Sequence, residues 1–220
     1  MVNIPVLKEV TEANTILADY LRSRFTHVLV LNVIASPGAG KTSLLERTIT
    51  QLNGTLKIAV IEGDPTTSID AERIAAVGMP VVQINTQGGC HLEARQIQRA
   101  VEQLDVADAD VLIIENVGNL LCPTEWDLGE DIKVVVASLP EGDDKPLKYP
   151  GAFLKAQAAV INKIDLEPYI AAKAATMREN ALKINPGLAI FEVSCTTGEG
   201  IDVWLDWVRQ KLAEKRAAEG

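Results

Sequence analysis

Ser36-Pro37-Gly38-Ala39-Gly40-Lys41-Thr42 follows the apolar run Val28–Ala35 and opens a helical pattern that begins near Ser43. Small residues at such a strand-to-helix turn let backbone N–H groups close around phosphate oxygens. An ammonium at Lys41 then neutralises charge, and a hydroxyl at Thr42 faces Mg²⁺. Gly38, Ala39, Gly40, Lys41, Thr42 and Ser43 are therefore the expected phosphate cradle. Ala35 stands where the strict pattern has its first glycine, a departure of one methyl group.

A second constellation, Asn162-Lys163-Ile164-Asp165, comes directly after the apolar run Ala158–Ile161. A carboxylate at Asp165 can accept from both N1–H and the exocyclic amine of guanine, a donor pair that adenine lacks, so GTP is expected to win over ATP. Asn162 would brace the loop, the Lys163 stem would lie along the ring, and Ser194-Cys195-Thr196 would supply the remaining base-contacting loop. Glu115, followed by Gly118, has the spacing of a γ-phosphate sensor with Glu in place of Asp. It can reach Mg²⁺ directly or through water. Asp64 and Asp70 follow the second strand, where either can hold the attacking water or the metal's water shell. Lys41, Asp64 and Glu115 are the expected catalytic group, and Thr42, Asp64, Asp70 and Glu115 the expected Mg²⁺ group.

A third group has softer chemistry. Cys90 and His91 follow Gly88-Gly89, and Cys122 lies four residues after Gly118. Two thiolates and an imidazole suit Zn²⁺ or Ni²⁺ and leave a coordination position for water, a partner or a second subunit. Cys195 is read as a small residue of the base loop. If γ-phosphate contacts draw Gly118 into one conformation, Cys122 moves with it, and nucleotide state alters metal affinity.

These residues need a frame. Runs at Val28–Ala35, Lys57–Ile61, Val81–Ile84, Val111–Ile114, Lys133–Ala137, Ala158–Ile161 and Ala189–Val193 read as seven strands. Helical patterns at Ser43–Leu52, Asp70–Ala76, Leu92–Leu104, Tyr169–Ile184 and Val203–Ala213 alternate with them. Such alternation predicts an α/β, three-layer fold: a mostly parallel seven-stranded sheet with helices on both faces and ligands at the carboxyl ends of the strands. A further helix is expected over about residues 8–24, and Trp204 with Trp207 should anchor the last helix. The 220 residues carry no linker-like segment, so one domain is expected. A net charge of −9 argues against nucleic acid, and no run is long enough to span a bilayer. Three scattered cysteines without a leader pattern fit a reducing, cytoplasmic setting.

Across almost its whole length the chain closely resembles the hydrogenase nickel-incorporation GTPases, the HypB family of [NiFe]-hydrogenase maturation. The likeness rests on the phosphate loop, Glu62-Gly63-Asp64, Asp70-Ala71-Glu72-Arg73-Ile74, Gly89-Cys90-His91-Leu92, Glu115-Asn116-Val117-Gly118-Asn119-Leu120, Cys122-Pro123, Lys148-Tyr149-Pro150 and Asn162–Asp165. The resemblance implies a P-loop GTPase that forms a homodimer, with Cys90, His91 and Cys122 as its nickel or zinc site at or near the subunit interface. It further implies nickel delivery to the hydrogenase large subunit alongside a HypA-type chaperone. The N-terminal cysteine motif and histidine-rich tract of some members are missing, so their high-affinity N-terminal binding and nickel storage do not carry over. The urease nickel-insertion GTPase is the nearest rival, but its Cys-Pro-His motif contrasts with Cys122-Pro123-Thr124. A small-molecule kinase would not need Asn162–Asp165, and a nucleotide-gated metal-binding dimer with vestigial hydrolysis is the non-enzyme alternative. No arginine finger is evident, so slow turnover is expected.

Overall fold

The computed structural model describes the backbone of residues 6–65, 68–104, 106 and 108–218, and the side chains among them from residue 11 onward. Seven strands, β1 (Leu29–Ala35), β2 (Ile58–Asp64), β3 (Val81–Asn85), β4 (Val111–Gly118), β5 (Ile132–Ser138), β6 (Ala158–Asn162) and β7 (Ala189–Glu192), form one sheet ordered β3-β2-β4-β1-β5-β6-β7. Every strand pairing is parallel. The helices are α1 (Val6–Arg24), α2 (Lys41–Leu52), α3 (Ile69–Ala76), α4 (Ala94–Val101), α5 (Cys122–Glu125), α6 (Lys145–Lys148), α7 (Pro150–Lys155), α8 (Ala174–Ile184) and α9 (Ile201–Ala218).

The near-continuous apolar runs follow from burial on both faces, because successive side chains of a covered parallel strand meet different layers. Leu31 and Val33 of β1 pack with Leu45 and Ile49 of α2 and with Trp204 of α9. Val30, one residue earlier and on the opposite face, packs with Leu21 of α1 and Ile97 of α4. Trp204 is 1% exposed and its indole N–H donates to Thr48 Oγ1 at 2.9 Å, so α9 is fixed against α2. Trp207 is only partly buried at the margin of the same cluster.

Several boundaries differ from the sequence reading. β2 and β4 run beyond their apolar cores, to Asp64 and Gly118: they pair with each other through Glu62↔Glu115, and the last residues then pair outward, Asp64 with Asn85 of β3 and Gly118 with Ala35 of β1. Asp64, Glu115 and Gly118 are thus strand residues and not members of the following loops. The pattern Leu92–Leu104 yields helix only from Ala94 to Val101, since Glu93 and Gln96 form a capping box. The pattern Tyr169–Ile184 is interrupted. Residues Ile164–Tyr169, with Pro168, form a 3₁₀ turn, and α8 starts at Ala174, whose N–H donates to the Glu167 carboxylate at 3.1 Å. Cys122 is the first residue of the short helix α5 and not a loop residue. No described helix is long and apolar enough to cross a membrane.

Candidate nucleotide site and metal centre

The phosphate loop joins the central strand β1 to α2. Gly38 and Gly40 have φ of 76° and 93°, and Gly40 precedes the first turn of α2. A Cβ at Gly40 would also lie 2.4 Å from Asn162 Nδ2, so this position needs glycine twice over. Ala35 is fully buried and pairs with Gly118 beyond a register shift after Val33, opposite a residue with no side chain. The loop borders a cavity of about 570 Å³, lined also by Glu62, Asp64, Asp70, Arg73, Gly118 and Lys163.

Glu115 is the counter-ion of the cradle. Its Oε1 accepts from Lys41 Nζ at 2.6 Å and from Thr42 Oγ1 at 2.6 Å, while its Oε2 is buried with no partner. One register position across the sheet, Glu62 is 1% exposed and its Oε2 is likewise unpartnered. Burial, and then the neighbouring Glu115 charge, push the Glu62 carboxyl up to about 8, against the pull of Lys41. Glu62, Asp64 and Asp70 place oxygens within 4.8 Å of one another. Hard carboxylate oxygens beside the Thr42 hydroxyl, two of them lacking any donor, fit Mg²⁺. When bound, that ion supplies positive charge where phosphate charge must be held, and Thr42, Glu115 and the three-acid group would hold it or its waters.

The residues Asn162–Asp165 and the loop after β7 form a braced unit. Asn162 Nδ2 donates to Ala39 O at 3.0 Å, and its Oδ1 accepts from Lys163 N at 2.8 Å and Cys195 N at 3.2 Å. Lys163 has φ of 63° and its ammonium donates to Gly38 O at 2.7 Å, which lays its stem across the mouth of the loop. Asp165 Oδ1 is buried and accepts nothing. A ligand bringing paired N–H donors would satisfy it. Ser194 is buried and its Oγ accepts from Thr197 N, closing the turn, and Arg47 of α2 holds the carbonyls of Cys195 and Thr196. Burial pushes the Cys195 thiol up to about 11, so it stays protonated at neutral pH.

At the neighbouring strand ends the structure gathers Cys90, His91 and Cys122, with ligand atoms within 4.8 Å of one another. The turn after β3 presents the first two. Gln87 and Gly88 have φ of 52° and 90°, and Thr86 Oγ1 donates to Gly89 O at 2.8 Å. The Cys90 thiol is held above its usual range, first by its hydrogen bond to Cys122 and then by burial. Burial holds His91 below its ordinary value, hence neutral near pH 7, and leaves Nε2 without a partner. Its ring stacks on Trp126 at 4.4 Å between centroids and 20° between planes. Two sulfurs and a neutral imidazole with an unpaired nitrogen suit a borderline-soft cation.

Residues 29–192 match the nucleotide-binding domain described as CobW/HypB/UreG. The chain belongs to that family. It is 47% identical over 202 residues to the hydrogenase maturation factor HypB of Escherichia coli K12, covering 91% of this chain and 70% of the relative. The HypB crystal structure from Archaeoglobus fulgidus superposes with a TM-score of 0.85 at 38% identity, covering 91% of this chain and 99% of that one. HypB from Helicobacter pylori, solved in complex with nickel, gives 0.86 at 36% identity, covering 92% and 96%.

Three side chains stand within the motifs quoted for the resemblance but were given no role there. Glu62 lies inside an apolar strand, and only the pairing of β2 with β4 sets it beside Glu115. Arg73 lines the cavity, bonded to Ser43 Oγ at 3.2 Å, Asp70 at 3.3 Å and both oxygens of Glu46. The i, i+3 spacing of Asp70 and Arg73 in a helix was its available signal. Asn119 bridges the two halves of the metal group, donating to Cys90 O at 3.4 Å and accepting from Leu121 N at 2.9 Å.

Proposed function

We propose that the chain is a GTP-hydrolysing metallochaperone that binds nickel, or zinc, through Cys90, His91 and Cys122 and assists nickel insertion into the [NiFe]-hydrogenase large subunit. The observation that carries this reading is adjacency. Cys90 and His91 follow β3 and Cys122 opens α5 just after β4, whose final Gly118 approaches Pro37 of the phosphate loop closely enough that a Cβ there would lie 3.4 Å from it. Lys41 compensates the β and γ phosphate charge, Asp64 aligns water, Glu115 gives up Lys41 and Thr42 to the incoming nucleotide, and Asp165 reads guanine. A homodimer, with a HypA-type chaperone as nickel donor or co-worker, completes the proposal; the nickel bound by the similar H. pylori protein supports the cargo assignment. Cys122-Pro123-Thr124 favours this over a urease-type insertion factor. The test pairs two measurements. Multiple-turnover GTP hydrolysis with little ATP hydrolysis separates the reading from a kinase and from a vestigial switch, and nickel binding should fall on Cys122→Ala while GDP binding stays. Absent turnover would refute the enzyme, and unchanged nickel binding would refute the site.

A further inference from the structure

A chain of buried polar side chains runs beneath the metal group. Asn116, next to Glu115 on β4, accepts through Oδ1 from Leu92 N at 3.3 Å and Val117 N at 2.9 Å. Its Nδ2 donates to Asn32 Oδ1 on β1 at 3.1 Å, and Asn32 Nδ2 donates to Glu130 Oε1 at 3.0 Å. Glu130 pairs with Lys133 of β5 at 3.3 Å and also accepts from Leu128 N at 2.6 Å. Lys133 Nζ then donates to the carbonyls of Pro123 at 3.3 Å, Thr124 at 3.0 Å and Trp126 at 3.0 Å. Asn32 and Asn116 are fully buried, and Lys133 is 7% exposed.

The chain closes around one point. Its first end fixes the backbone of Leu92, beside His91. Its other end fixes the turn that begins at Cys122 and the carbonyl of Trp126, whose ring stacks on His91. Buried ion pairs and amides are costly to leave half-made, so each link has one low-energy partner, which makes the path rigid. This polar path through a largely apolar sheet adds little to packing, yet it spans the two separate segments that carry the metal ligands.

We propose that Asn116, Asn32, Glu130 and Lys133 are positioning residues that hold the Cys90–His91 turn and the Cys122 turn at metal-binding distance and tie both to β1 and β4. This rests on the Cys90, His91 and Cys122 site proposed above. None of the four touches a ligand atom of that site, and none belongs to the cavity of the phosphate loop.

The experiment titrates nickel(II), followed by its thiolate charge-transfer absorption, into the full chain carrying Asn32→Ala, Lys133→Met or Cys122→Ala, with GDP affinity measured alongside. Removing groups that orient ligands weakens metal binding about 10- to 100-fold. Asn32→Ala and Lys133→Met should each weaken nickel at least about tenfold and leave GDP affinity within about twofold. In a Cys122→Ala background Asn32→Ala should cost nothing further. Unchanged nickel affinity in folded Asn32→Ala, or an equal loss with and without Cys122, would overturn the proposal. Nitrogen-15 spectra of the wild-type chain give an answer that needs no variant to fold: zinc must shift the side-chain amide signals of Asn32 and Asn116, and unmoved signals overturn it. If Cys122→Ala itself leaves nickel binding intact, the site reading fails instead.

Discussion

Replacing Glu62 with glutamine should make the nucleotide-free protein more stable at neutral pH and erase a specific pH dependence. The Glu62 carboxyl is 1% exposed, faces Glu115 across β2 and β4, and is raised from 4.5 to about 8, first by burial and then by that charge. Below pH 4.5 both folded and unfolded chains hold this proton, and folding costs nothing through it. Between about 4.5 and 8 the unfolded chain releases the proton and the folded one keeps it, so stability falls by about 1.4 kcal/mol per pH unit. Above about 8 both are ionised and the loss is complete. The interval sets a ceiling of about 5 kcal/mol, and roughly 2–4 kcal/mol is expected between pH 5 and 7.5. Glu62→Gln keeps the shape without the charge. Relative to wild type it should gain about 5–15 °C in Tm at pH 7.5 and almost nothing at pH 5, given about 2–4 °C per kcal/mol for a chain of this size. Scanning calorimetry in magnesium-free and nucleotide-free buffer from pH 5 to 8.5 reads the difference directly. Parallel Tm profiles for the two proteins would refute the argument that Glu62 is held protonated by its surroundings.

Lys41→Ala removes the ammonium that now pairs with Glu115 and should weaken GTP by roughly 100-fold by calorimetry, at the upper end of a charge-assisted hydrogen bond; wild-type affinity would contradict the phosphate-loop assignment. Asp165→Asn exchanges an acceptor for a donor and should shift preference toward xanthine nucleotides in a competition assay; an unchanged GTP preference would remove Asp165 from base contact. Nickel affinity should climb with pH by at least about one log unit per unit between pH 7 and 8.5, because the raised Cys90 thiol must lose its proton to bind metal, whereas His91, lowered by burial, is already neutral. A pH-independent affinity in that window would exclude Cys90 as a thiolate ligand.

The parallel sheet was legible because each strand is a covered apolar run, and the phosphate loop because its glycines and Lys41 are contiguous. Asn162 and Asp165 were readable for the same reason, as local chemistry at a strand end. Glu62 and Lys133 were not. Each is a polar residue within a strand, and its meaning depends on which neighbour the register supplies: Glu115 for the first, the carbonyls after Cys122 for the second. Helix ends were displaced where a side chain reached a backbone N–H outside the apolar period, as Glu167 does at Ala174. The Cys90–His91 and Cys122 turns are far apart in the chain, and only the order β3-β2-β4 sets them side by side.

If β4 joins nucleotide state to metal affinity, the two sites must answer to each other. Nickel(II) affinity measured by competition titration on the same preparation, loaded with GDP and with a non-hydrolysable GTP analogue, tests it most directly. Different nickel affinities are expected in the two states, and the ratio of GDP to analogue affinity must then shift by that same factor when nickel is bound. Equal nickel affinity in both states would contradict it.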